Sequence, residues 1–319
     1  LPEWLVEEGI GEHRAILAKN GTILAARIDW PGALAAGQVE DAVLVARAAG
    51  SKRGTLRFAS GEEALVDNLP RDASEGAALR AIVTRAAITE TGRLKLAQAR
   101  PTNAAPRSAP TLVEKLDRAR VVGRFSEDWE DLFGEAWSGE VTFAGGNLTI
   151  SPTPAMTLID VDGLLPVRAL AMAAVPAIAA SIRRFDLAGS LGIDFPTLSD
   201  KADRRALDDA LGAVLANWPH ERTAMNGFGF VQLVARLERP SLIHRIARDR
   251  AGAAARLLLR RAERLDGPGA LLLAAHPAVL AAIGPAWRDA LGRRTGRQLR
   301  WQAEPTLALE SGHAQLVIQ

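Results

Sequence analysis

MTLIDVDG, residues 156–163, reads as a strand that carries a charge where a core residue is due. Leu158, Ile159 and Val161 surround Asp160, and Asp162 with Gly163 ends the run. A carboxylate buried in such a strand is costly unless something compensates it. The pattern returns 34 residues later in SLGIDF, residues 190–195, where Asp194 follows Gly192 and Ile193. On extended chain Leu158, Asp160 and Asp162 share one face, as do Gly192 and Asp194, and Gly192 leaves space above its face. Residues 167–185 have a helical pattern, so a right-handed strand-helix-strand crossover makes the two strands parallel, with both acids near their carboxyl ends. Ligand sites of open α/β sheets lie there.

Two carboxylates, or three with Asp162, repel one another unless a cation joins them. Hard oxygen ligands select magnesium, with manganese as a substitute. A carboxylate-held magnesium serves phosphodiester hydrolysis by lowering the pKa of water and stabilising charge on the phosphate. A lone Asp at a strand end more often caps a turn. Repetition in matched context favours the metal site.

The alternation of strand and helix continues outward. Residues 201–216 form a helix opening after Ser199 and Asp200, and ALLLAAHPAVLAAI, residues 270–283, is a strand followed by a helix. The expectation is an α/β layer with a largely parallel sheet. Upstream, Asn20-Gly21 breaks an alternating run, a strong hairpin signal, and Gly145-Gly146 marks a second hairpin. Residues 38–99 hold four or five short strands bounded by glycine, which fits either a small barrel of the oligonucleotide-binding (OB) type or an antiparallel module without a ligand. PTNAAPRSAP, residues 101–110, is a linker, and residues 111–137 read as helical, with Trp129 and Trp137 as core anchors.

Composition narrows the classes. With 319 residues the chain has room for more than one core, and with no cysteine it has no disulfide framework, thiolate zinc site or Cys nucleophile. There are 39 basic against 37 acidic residues, and nearly all the basic ones are arginine, so the pI of 9.4 carries little weight. The longest apolar stretch, residues 169–182, is alanine-rich and broken by Pro176, so no membrane span is expected, and the absence of cysteine suits a cytoplasmic protein. His220, His244, His276 and His313 show no ligand spacing.

Taken in order, residues 139–163, residues 185–211, NGFGFVQLVARLERPSL (226–242) and the segments 275–283 and 287–313 resemble the catalytic core of the RNase E/G family of bacterial endoribonucleases. The resemblance spans most of the chain. It implies a multidomain α+β and α/β fold: an RNase H-like part split between residues 1–37 and 111–150, an inserted S1-type OB barrel at 38–100, the linker at 101–110, and a DNase I-like catalytic domain at 151–319. The family's magnesium-binding acids fall on Asp160 and Asp194, with Asp162 in place of a usual Asn. Single-stranded RNA is the implied substrate. Arg205, beside Arg204, falls at a basic position, and Phe228 in an RFG element whose arginine is Gly227 here. On the barrel Phe58 fits a surface aromatic, Leu65 stands where a second is expected, and Lys52, Arg53 and Arg57 are candidates for phosphate attraction. Only about 60 residues separate the barrel from Asp160, too few for the family's 5′-monophosphate pocket. Without the zinc-linking cysteines, the implied state is a monomer or a dimer joined without zinc. The rival expectation is a non-catalytic RNA-binding protein on the same fold, indifferent to magnesium.

Overall fold

The structure, a computed structural model, describes residues 2–90, 93–126 and 128–318. It opens with an antiparallel meander, β1 (Glu3–Gly9), β2 (Glu12–Lys19) and β3 (Thr22–Asp29). Asn20 and Gly21 both take positive φ, 51° and 77°, the pair of left-handed residues that a tight turn between β2 and β3 requires.

A closed barrel follows, built from β4 (Val39–Arg47), β5 (Gly54–Arg57), β6 (Glu63–Val66), β7 (Ala78–Arg85) and, after the small hairpin β8 (Ile88–Glu90) and β9 (Arg93–Lys95), β10 (Ala97–Pro101). Strand β10 closes the ring, parallel to β6 and antiparallel to β7. Leu44, Leu56, Ala64, Val66, Ala81, Val83 and Ala99 fill its interior. Five strands with small interior residues suit the OB barrel that was anticipated.

The segment 111–137 departs from its helical expectation. It contains α1 (Leu112–Lys115), then β11 (Ala119–Val122), and only then α2 (Trp129–Ser138). The β-branched pair Val121-Val122 runs parallel to β1, giving a sheet of order β11-β1-β2-β3. The barrel is therefore inserted between β3 and β11 of one sheet.

The sheet that bears the acids comprises β12 (Glu140–Phe143), β13 (Gly146–Pro152), β14 (Thr157–Gly163), β15 (Gly189–Asp194), β16 (Glu221–Arg222) and β17 (Phe230–Ala235), in the order β12-β13-β14-β15-β17-β16. It is mixed, not largely parallel: β14 and β15 are its one parallel pair. Helix α3 (Val167–Arg184) makes the crossover between them, continuous through Pro176, and α4 (Lys201–Leu215) packs beside α3. Asp200 caps α4, its Oδ1 accepting from the Ala202 N–H at 2.7 Å. One hydrophobic core joins Ile16 and Ala26 of the first sheet to Trp129, Leu148, Ile159, Ile178, Ile193 and Leu211.

The chain continues through α5 (Leu242–Arg248) and α6 (Arg250–Glu263) to β18 (Ala270–Ala275), α7 (Pro277–Ala282), α8 (Pro285–Thr295), β19 (Leu299–Ala303) and β20 (His313–Val317). The last three strands form a sheet of order β19-β18-β20 over a second core that includes Leu258, Leu271, Leu273 and Leu291. Among the described residues no helix is long and apolar enough to cross a membrane.

Candidate carboxylate site

Strand periodicity builds the site. On β14, Thr157, Ile159 and Val161 are buried against α3, while Asp160 and Asp162 are exposed on the opposite face. Both acids and Asp194 therefore stand at the solvent side of the sheet, which replaces the expectation of charges in a buried strand. In the parallel pairing of β14 with β15, Asp160 lies directly opposite Asp194. Neighbouring strands are about 4.8 Å apart, so the two carboxylates rise side by side. The space expected above Gly192 is filled: a Cβ there would lie 2.5 Å from the Phe230 ring and 2.6 Å from the Met156 sulfur.

Electrostatics register the crowding. Partial desolvation against the sheet, then the like charges of Asp194 and Asp162, hold the Asp160 carboxyl above its ordinary range. Asp162 lies one step along the strand, its Oδ1 accepting from the Gly163 N–H at 2.7 Å. Among the described residues no three His, Asp or Glu side chains converge as a ligand set. The protein thus offers a cation two facing carboxylates, which leaves room for several water or phosphate oxygens. Magnesium, which keeps several waters, fits that donor set, and zinc, which prefers His and Cys, does not.

The raised Asp160 carboxyl has a measurable consequence. Ionising a carboxyl whose folded-state pKa exceeds its unfolded value works against folding, and that penalty fades as pH falls through the folded-state pKa. In metal-free buffer Asp160→Asn is expected to raise the urea midpoint slightly at pH 7, with the gain disappearing in acid. Denaturation curves at pH 7 and pH 4 check this.

Pairing registers add residues that sequence reasoning missed. Glu140, Thr149, Asp160, Asp194 and Phe230 follow one another directly across β12, β13, β14, β15 and β17, and Thr142, Asn147 and Asp162 form the adjoining row. The alternation in EVTFAGGNLTIS, residues 140–151, was the available signal for Thr149 and Asn147.

Segments around the acids are tied by backbone contacts. Thr197 Oγ1 donates to the Phe228 carbonyl at 3.2 Å, and the Phe195 N–H donates to the Gly229 carbonyl at 3.1 Å. Gly229 has φ +94°, and a Cβ there would sit 2.3 Å from the Phe195 oxygen, so this close approach requires glycine. The turn leaves Phe228 84% exposed, two residues from the partner of Asp194. Arg204 is engaged: its Nη1 donates to the Leu198 and Ser199 carbonyls at 2.6 and 2.9 Å, holding the loop after Asp194. Arg205 is exposed on α4.

On the barrel, Phe58 is a correction. It is 3% exposed and belongs to the barrel core, because Leu56 and Phe58 point inward while Arg57 between them points out. It offers no stacking surface, and Leu65, 46% exposed, is the outward residue on β6. Lys52, Arg53 and Arg57 are exposed. Arg53 pairs with Asp67 at 2.8 Å, and Arg57 with Glu63 at 2.8 Å. The structure thus brings together Asp160, Asp194 and, one step away, Asp162, with Phe228 and Arg204 on the adjoining loops, while the barrel cations belong to a separate unit. No protein-family model and no curated protein sequence matches the chain.

Proposed function

We propose that the protein is a magnesium-dependent endoribonuclease of RNase E/G type that cuts single-stranded regions of RNA in the cytoplasm, without reading a 5′-monophosphate. The observation that carries this reading is the register of Asp160 against Asp194 on adjacent parallel strands, exposed on an open sheet face. The return of the chain after the barrel to add β11 beside β1 is consistent with a split RNase H-like part, and the six-stranded mixed sheet would be the DNase I-like layer.

In this reading Asp160 and Asp194 hold the magnesium, which supplies activation of water and charge neutralisation at a phosphodiester. Asp162 adds negative potential at the edge of the site. Thr149 and Asn147 present polar groups to a strand laid across the sheet, and Phe228 offers an exposed ring for a base to stack on. Arg205 supplies phosphate attraction from α4, and Lys52, Arg53 and Arg57 supply it from the barrel. The products would be 5′-phosphate and 3′-hydroxyl ends, and the working unit a monomer or a dimer joined without zinc.

The test is cleavage of a 5′-labelled, A/U-rich single-stranded RNA with magnesium and with EDTA. Internal cuts that appear with magnesium and vanish with EDTA support the reading. Retention of the RNA without cutting, unchanged by magnesium, would instead identify an RNA-binding protein.

A further inference from the structure

A cavity of about 600 Å³ opens between β3, the barrel strand β7, helix α1 and the segment that follows β17. It adjoins the Gly189–Ala235 end of the β15–β17 pair, whereas the acids stand at the Asp194–Phe230 end. Five residues of strand separate the two ends, about 17 Å. The cavity is a second site.

Its lining combines six cationic residues with a larger apolar share. Arg27, Arg100, Lys115, Arg236, Arg239 and Arg245 face only Asp29 and Glu238 within it. Several of these charges are already paired: Arg27 and Arg239 share Asp186 at 3.2 and 3.1 Å, Arg236 meets Glu238 at 3.1 Å, and Arg245 meets Asp29 at 3.5 Å. Arg100 and Lys115 have no carboxylate partner among the described residues, and Arg245 Nε is buried without a hydrogen-bond partner. The unpartnered buried donor is costly until an acceptor arrives, and the two exposed cations beside it are open to an anion. Partial desolvation lowers the Lys115 ammonium below its ordinary range, with Asp29 opposing the shift and Arg239 and Arg245 adding to it. Ile82, the cross-strand neighbour of Arg100, and Leu112 and Leu116, at either end of the helix that carries Lys115, supply apolar surface beside the cations.

We propose that this cleft binds a nucleoside phosphate, with the phosphate on Lys115 and Arg100 and the base against the apolar surface of Ile82, Leu112 and Leu116. A single carboxylate carries too little charge for this excess, whereas a phosphate monoester brings a dianion whose oxygens match guanidinium forks. An inorganic anion would leave the apolar surface in water. The cavity volume falls within the range of small-molecule sites, roughly 300–1,000 Å³. A free mononucleotide carries that dianion, whereas a nucleotide within a strand brings only a phosphodiester monoanion.

The experiment is calorimetric titration of the full chain in EDTA, so that no magnesium-dependent cleavage intervenes. The probes are adenosine monophosphate, adenosine, inorganic phosphate and a 2′-O-methyl RNA decamer without terminal phosphates. The proteins are the wild type, Lys115→Glu, Arg100→Glu and Asp194→Asn. Lys115 and Arg100 are exposed, so their charge reversals leave the core intact, and circular dichroism verifies that. Saturable binding of the mononucleotide, at least about tenfold tighter than adenosine or phosphate and weakened about tenfold or more by either charge reversal, is the expected result for a free ligand. Binding confined to the decamer, which presents only phosphodiester monoanions, overturns the proposal. Absence of binding by both, or binding indifferent to Lys115→Glu and Arg100→Glu, overturns the proposal. Asp194→Asn is expected to bind like wild type, so this result stands or falls separately from RNA cleavage.

Discussion

Under the proposed nuclease function, Asp194→Asn is expected to lower the rate of magnesium-dependent RNA cleavage by about 10²–10³-fold or more, while leaving the protein folded. The reasoning begins with register. Asp160 and Asp194 are direct neighbours on parallel strands, and among the described residues the strands that bear them carry no His or Lys. An amide at position 194 keeps the volume and one oxygen but removes half of the charge that attracts a divalent ion. Magnesium affinity and cleavage should therefore fall together, and raising the magnesium concentration should restore part of the rate. Asp162→Asn supplies the contrast: position 162 lies one step along β14, so cleavage should stay within a few-fold of wild type. Single-turnover cleavage across a magnesium series separates the cases. An Asp194→Asn protein that cuts at the wild-type rate would remove the carboxylate pair from the mechanism.

What the sequence made legible here was local. Asn20-Gly21 signals its own turn because only residues tolerant of positive φ serve there, and the Ile-Asp pattern marks two strands whose pairing follows from one intervening helix. The errors arose where distant chain segments decide. Residues 119–122 become a strand because β1 offers an edge, a partner more than a hundred residues away, and nothing near them announces it. The sheet was expected to be largely parallel because strands alternate with helices, yet β13 arrives by a hairpin and β17 by a loop, and both pair antiparallel. Phe58 illustrates a finer limit. One step of strand register separates a stacking surface from a core residue, and barrel closure by β10 sets that register. For the same reason the row containing Thr149 and Glu140 became visible only with the pairings.

Glu7→Gln is expected to destabilise the fold by about 3–5 kcal/mol, through a charge cluster far from the carboxylate site in sequence. Glu7 Oε1 accepts from Arg14 Nη1 at 2.6 Å and from Arg260 Nε at 3.0 Å, and Oε2 accepts from the Phe125 N–H at 3.0 Å. Arg14 and Arg260 are 1% and 2% exposed, so β1, β2, the start of the α2 segment and α6 meet on one buried carboxylate. Arg14 keeps a second partner in Glu12 at 2.6 Å, but Arg260 loses its carboxylate altogether in the variant. A buried guanidinium without an anion is the expensive case, whereas replacing all three groups by apolar residues of similar size would cost far less. Burial pushes the Glu7 carboxyl up, yet the charges of Arg14 and Arg260 and the Phe125 N–H outweigh it and hold the group below its ordinary range. A carboxyl depressed in the folded state stabilises above its unfolded pKa and loses that contribution as pH falls through the folded value. The stability gap between wild type and Glu7→Gln should therefore be fully present at pH 7 and narrow in acid. Urea denaturation across pH measures the gap directly, and a variant as stable as wild type at neutral pH would show that this cluster only orders the junction without stabilising it.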